Sequence, residues 1–371
     1  MADPWGWLAL ARADVHARGL VRRLDPVSEG LLDLASNDYL GLARHPEVVA
    51  AAAAAARRFG AGATGSRLVT GTMSVHLELE QALAERMGAE SALVFSSGYL
   101  ANLGAVTTLA GPGTLVVSDG GNHASLIDAC RLSRAEVEVV PHGNVEGVDA
   151  LLSRHPGRAV VVTDAVFSVD GSLAPLTELH DVVRRHGGVL LVDEAHALGV
   201  LGPTGEGACA AVGLDREPDV VRTVTLSKSL GAQGGAVLGP AMLRDHLVDT
   251  ARPFVFDTGL APASAGAALA ALHLVTEERV SALRAAVTLL AGHLAIPATE
   301  GAVVRVPVGD PREALAAQQA CRAAGVLVGC FRPPSVPEGE ACLRLTARAT
   351  LLPSEIEQAA DVVLAATRRS R

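Results

Sequence analysis

Between residues 90 and 240, short apolar runs alternate with stretches of helical spacing, and this alternation narrows the possible folds more than any other feature of the chain. Strand candidates lie at 92–95, 114–117, 137–140, 159–163, 189–192, 221–226 and 236–238. They are β-branched and apolar on both faces, as strands covered by helices on each side must be. Residues 74–87 and 176–186 carry helical spacing, with Ser74 placed to cap the first. An α/β domain with a mostly parallel sheet is predicted. Pro253, Gly259 and Pro262 punctuate its end. Beyond them a long helix is predicted over 264–278, then strands at 303–308, 326–328 and 342–346 around a helix at 312–324. These form a smaller α+β domain. The division predicted is an N-terminal segment, 1–45, packing with the small domain, a large domain over 46–263 and the small domain over 264–371.

Composition agrees with this size of core. Hydrophobic residues make up 49 % of 371 positions and charged ones 19 %, the profile of a globular chain. The net charge of −9 and the lack of a basic block argue against nucleic acid as a partner. Residues 91–118 carry no charge, but Ser96-Ser97-Gly98 and Gly111-Pro112-Gly113 cut them into pieces too short to span a bilayer. The opening Met1-Ala2-Asp3-Pro4-Trp5 has no basic region before an apolar stretch, so no secretory signal is read. Five cysteines with no CxxC pair fit neither a disulfide framework nor a zinc knuckle. A cytoplasmic protein, not bound to membrane, is expected.

The chain has 31 basic residues, yet only one of them, Lys228, is lysine. A bias toward arginine codons accounts for the bulk but not for the exception. Imine formation needs an amine that can lose its proton, which guanidinium cannot do. Lys228 follows the strand at 221–226 among small and hydroxyl residues, Thr225, Ser227, Ser229 and Gly231, which let a bulky group approach and can hold a phosphate.

Other motifs sort themselves by context. Gly60 to Gly65 matches GxGxxG but follows an Ala-rich helix rather than a strand, so a dinucleotide turn fails. Asp193-Glu194-Ala195-His196 spells DEAH, yet no GxxxxGK[ST] accompanies it, and His196 lacks a second histidine at metal spacing. No metal is expected. Asp193 lies at a strand's C-terminal end, where open α/β sheets bind ligands. A carboxylate there can pair with a protonated ring nitrogen and make the ring an electron sink; position alone also suits a helix cap. Ser96-Ser97-Gly98-Tyr99 joins a strand to a helix starting near Leu100, whose free N–H groups suit a phosphate. His123 can stack on a flat ring. An amine, an acid, a phosphate cup and a stacking imidazole together point to pyridoxal phosphate carried as an imine on Lys228.

These residues resemble the α-oxoamine synthases, pyridoxal-phosphate enzymes of the aspartate-aminotransferase fold, fold type I. Ser36-Asn37-Asp38-Tyr39-Leu40-Gly41-Leu42 is similar to the family's SNDYLGL, and Gly65-Ser66-Arg67 with Gly71 and residues 76–83 to its GSR…G…H.ELE region. Asn122-His123-Ala124-Ser125 resembles its ring-stacking histidine segment, residues 166–171 its VFSMDG, and Asp193 to His196 its DDAH or DEAH. The resemblance implies catalytic roles for Lys228, His123, Asp193 and His196. It implies cofactor contacts from Ser97, Gly98, Tyr99, Ser168, Thr225 and Thr258, and substrate contacts from Asn37 and Arg344. Phe331-Arg332-Pro333-Pro334-Ser335-Val336-Pro337 and Leu343-Arg344-Leu345-Thr346 are most like the branch that condenses L-alanine with a pimeloyl thioester, carried on coenzyme A or acyl-carrier protein. Arg344 would bind the amino-acid carboxylate, a bidentate task suited to guanidinium. The family's Ser-Thr-Ser, which reaches the neighbouring subunit's phosphate, here reads Asp257-Thr258-Gly259. The resemblance also implies a homodimer. A sister acyltransferase using glycine or serine stays open as the alternative, and more remotely a non-catalytic regulator of the same fold.

Overall fold

The computed structural model describes residues 3–368. Met1 and Ala2 of the N-terminal reading, and the last three residues of the expected small domain, lie outside the described residues. The chain begins with helix α1 (Gly6–Ala17) and a short strand β1 (Leu32–Leu34), followed by α2 (Pro46–Phe59) and α3 (Ser74–Arg86). The alternating block then runs β2 (Ser91–Phe95), α4 (Gly98–Leu109), β3 (Thr114–Asp119), α5 (Ala124–Ser133), β4 (Glu136–Val140), α6 (Val145–Leu152), β5 (Arg158–Asp164), α7 (Leu176–Arg185), β6 (Val189–Asp193), α8 (Ala208–Ala211), β7 (Val220–Thr225) and β8 (Gly235–Gly239). After it come α9 (Ala241–Thr250), α10 (Arg252–Val255), α11 (Pro262–His273), α12 (Glu277–Leu294), β9 (Val303–Gly309), α13 (Pro311–Ala323), β10 (Val326–Phe331), β11 (Ala341–Thr346) and α14 (Pro353–Arg368).

Seven strands form one sheet in the order β2-β8-β7-β6-β5-β3-β4. Only β8 runs antiparallel to its neighbours. Alternate residues of the central strands feed two separate cores. On β5, Val160 and Val162 belong to one buried cluster and Ala159 and Val161 to the other. Leu191 of β6 faces the first and Leu190 and Val192 the second. This is why these strands read as unbroken apolar runs, since neither face meets water. Strand β4 departs from that reading. It is the sheet's edge, and Val137 and Val139 are 37 % and 64 % exposed.

A second sheet, β1-β10-β11-β9, contains a parallel pair, β1 with β10 in register Leu32 to Val326, and antiparallel pairs among β9, β10 and β11. Two expectations need correction. Met73, not Ser74, is the N-cap of α3, and its N–H donates to His76 Nδ1 at 3.0 Å, the reciprocal half of a capping box. The helix expected at 264–278 is two helices, because Thr276 Oγ1 accepts from Arg279 N and starts α12 anew. Helix α11 packs on α2 and α3.

Candidate active site

Three parallel strands end side by side at one edge of the large sheet. Asp193 closes β6 and stands in register with Asp164, which closes β5. Thr225 closes β7. Lys228 follows on a tight loop held by bonds from Gly231 N to Lys228 O and from Leu226 N to Gly234 O. Gly231 has φ +59°, and a Cβ there would come within 2.4 Å of Ala43 N, so only glycine lets the loop close against the Leu42–Ala43 backbone.

The strand ends open on a cavity of about 300 Å³, at the small end of the range usual for small-molecule sites. Nine of the predicted residues line it: Ser97, Gly98, Tyr99, His123, Ser168, Asp193, His196, Thr225 and Lys228. Arg344 and Asn37 stand beside it as a bonded pair. Arg344 NH1 donates to Asn37 Oδ1 at 3.1 Å and Nε to Ser168 O at 2.6 Å, while NH2 is buried without a partner. The Arg344 guanidinium also lies 5.3 Å from the Phe331 ring centroid. Thr258 is the predicted residue that does not reach the cavity. It is exposed on the segment before α11, where the neighbouring Asp257 carboxylate accepts a hydrogen bond from Ser96 Oγ.

At the start of α4 the sequence supplies a phosphate-shaped end. Ser97 Oγ caps the helix by accepting from Leu100 N at 3.1 Å, and Ser97 O accepts from Ala101 N. The N–H groups of Gly98 and Tyr99 have no acceptor within a helix that begins there. Opposite them Thr225 Oγ1 and Ser227 Oγ pair at 2.7 Å. Backbone approaches backbone closely here. A Cβ on Gly235 would fall 2.4 Å from Gly98 Cα. Tyr99 Oη donates to Asp128, away from this cup.

The electrostatics are those of a desolvated amine between two acids. Burial pushes the Lys228 ammonium down to about 8, the Asp193 and Asp164 carboxylates oppose that, and Arg344 adds to it. Burial, and then the charge of Asp193, hold the Asp164 carboxyl well above its ordinary value. Burial lowers His123, and the charge of Lys228 adds to this against the pull of Asp193. His196 falls well below the usual imidazole value, through burial first and then Lys228 and Arg344. Tyr39, whose Oη lies 2.6 Å from His196 Nδ1, is pushed up to about 12 by burial.

Sequence reasoning missed Asn102, Ser125, Asp164 and Tyr39 as members of the site. Tyr39 and Ser125 stood inside quoted motifs, and Asp164 ends a predicted strand next to the one carrying Asp193, so its place could have been inferred. Asn102 is a polar residue in an apolar helix, the one signal that could have marked it.

A model of the aminotransferase class I and II family matches residues 29–363. An 8-amino-7-oxononanoate synthase of Mycolicibacterium gilvum (strain PYR-GCK) is 58 % identical over 369 residues, covering 97 % of each chain. The protein of the same name from Mycobacterium tuberculosis (strain F11) is 56 % identical over 99 % of this chain and 97 % of its own. Among solved structures, the K265A serine palmitoyltransferase of S. paucimobilis with a bound PLP-myriocin aldimine superposes with a TM-score of 0.91 at 32 % identity, over 100 % of this chain and 99 % of that one.

Proposed function

The chain belongs to the aminotransferase class I and II family, and from that premise we propose that it condenses L-alanine with a pimeloyl thioester, the reaction of 8-amino-7-oxononanoate synthase in biotin biosynthesis. The products are 8-amino-7-oxononanoate, carbon dioxide and the free thiol of the carrier. One observation carries the reading. A lysine amine brought down to about 8 shares a cavity of about 300 Å³ with the strand-end carboxylate of Asp193.

The residues present fit pyridoxal phosphate at three points. The amine of Lys228 suits its aldehyde, Asp193 its ring nitrogen, and the Ser97–Tyr99 end of α4 with Thr225 and Ser227 its phosphate. When bound, this cofactor supplies an electrophilic carbonyl and an electron-accepting ring. Lys228 would hold it through its amine and would take the proton from Cα of alanine; an amine near 8 is neutral often enough for both tasks. Asp193 would balance positive charge at the ring nitrogen. His123, which lines the cavity, would pack against the cofactor's ring. Its Nδ1 accepts from Ser125 N, so the neutral imidazole keeps its proton on Nε2. The unpartnered NH2 of Arg344 is a buried donor awaiting an anion, and the alanine carboxylate meets that need. His196, backed by Tyr39, serves the acyl oxygen.

We assign the protein to the cytoplasm because its five cysteines are free, and to a homodimer whose second copy brings Thr258 to the phosphate. Among the described residues no helix is long and apolar enough to cross a membrane.

The test is thiol release by the pyridoxal-phosphate-loaded protein. We expect L-alanine to drive release from pimeloyl-coenzyme A or pimeloyl-acyl-carrier protein, with glycine and acetyl-coenzyme A giving little. Preference for glycine or serine with another acyl chain would replace this reading with a sister synthase. No amino-acid-dependent release from any thioester would sink it.

A further inference from the structure

Asn102, on the second turn of α4, is 3 % exposed and makes three hydrogen bonds inside the site, using both of its N–H donors. Its Nδ2 donates to Asp193 Oδ2 at 2.7 Å and to Ser125 Oγ at 2.8 Å. Its Oδ1 accepts from Thr223 Oγ1 at 2.5 Å. The orientation is settled by charge, since the reversed amide would set a carbonyl oxygen against the Asp193 carboxylate. Ser125 Oγ, having accepted from Asn102, keeps its own proton for His123 Nδ1 at 2.8 Å. Ala195 N donates to the other Asp193 oxygen at 2.9 Å. Among the described residues, none of Thr223, Asn102, Asp193, Ser125 and His123 leaves a buried side-chain polar atom unpartnered.

One amide thus links the acid at the edge of the cavity to the imidazole over its face, across three elements, β6, β7 and α5. We propose that Asn102 is a positioning residue that holds the Asp193 carboxylate and the His123 imidazole in one frame around the cofactor ring. The proposal rests on the reading that this cavity takes pyridoxal phosphate. Thr223 sets the amide, the amide sets the carboxylate, and Ser125 passes the constraint to the imidazole. Fully satisfied buried networks of this kind gain rigidity from every member.

The experiment uses the holoenzyme with Asn102→Leu, which keeps the bulk and removes the N–H groups, and Thr223→Val, which leaves the amide but frees it to turn. Two readouts need no turnover: the 15N chemical shift of the bound cofactor's ring nitrogen and the visible circular dichroism of the bound cofactor. Both should change in Asn102→Leu and change less, in the same sense, in Thr223→Val. We expect kcat in Asn102→Leu to fall roughly 10- to 100-fold, the effect of losing a hydrogen bond to a charged group, with little change in KM for L-alanine. Cofactor-loaded variants with the wild-type 15N shift and dichroism would overturn the proposal. Should Asn102→Leu fail to fold, wild-type signals in Thr223→Val overturn it alone. A wild-type protein that binds pyridoxal phosphate but releases no thiol would overturn the assigned reaction and leave this proposal standing.

Discussion

Lys228 is set between burial, which favours the neutral amine, and two acids, which favour the charged one, and burial wins. The sign has a direct consequence for cofactor capture, since only the neutral amine attacks an aldehyde. Below about 8 the ammonium dominates and capture is slow; above it the rate levels off. At pH 7 about one amine in ten is neutral, against roughly one in several thousand at the ordinary lysine value. Stopped-flow absorbance of apoenzyme mixed with pyridoxal phosphate should therefore show an inflection near 8, and Asp193→Asn, which removes a carboxylate that raises the amine, should move it lower. An inflection above 10 would refute the assignment. At this scale the sequence was most legible where chemistry left one candidate: Lys228 is the only lysine, and Asp193 ends a strand. Asn102 was not legible, because its partners Thr223, Ser125 and Asp193 lie 121, 23 and 91 positions away and no local pattern connects them.

The start of α4 owes its shape to a neighbour that runs the wrong way. Antiparallel β8 begins at Gly235, and with no side chain there the Gly98 backbone can settle beside it. Gly235→Val would push that first turn outward, an overpacking change of about 1–3 kcal/mol. We expect affinity for pyridoxal phosphate to drop ~10-fold or more, and affinity for pyridoxal, which lacks the phosphate, to drop much less. Equilibrium titration of both ligands measures the difference, and equal losses would show that the turn does not serve the phosphate. Elements with both faces covered, such as β5 and β6, were legible because a buried run of valine and leucine has few alternatives. The misread elements lay where a side chain decided locally. Thr276 restarts a helix inside an Ala/Leu-rich stretch, and His76 accepts from the N–H of Met73, the cap one residue earlier than the serine suggested.

Around Thr258 the surface of a single chain is unusually apolar. Phe256 is 71 % exposed, and Leu68 and Val69 are 52 % and 79 % exposed on the adjoining loop, tied to this segment by the bond from Gly259 N to Gly65 O. A homodimer covering this patch would also carry Thr258 inward. Sedimentation should give a dimer for the wild type, and Val69→Asp should shift it toward monomer with loss of activity; a fully active monomer would contradict the shared site. The α/β character of the chain was readable from the sequence, because alternation is a local signal. The strand order was not, and neither was the union of β1 with β10, since a parallel pair between segments nearly three hundred positions apart leaves no mark in either. That union also sets a timetable for biosynthesis. Leu32–Leu34 emerges from the ribosome early, but its partner is translated only after the entire seven-stranded sheet, about 15–60 s later at ~5–20 residues per second. By the end of that interval the nascent chain holds all seven strands of the large sheet and still an orphan β1, and at three residues that strand offers little edge for a stray chain to join.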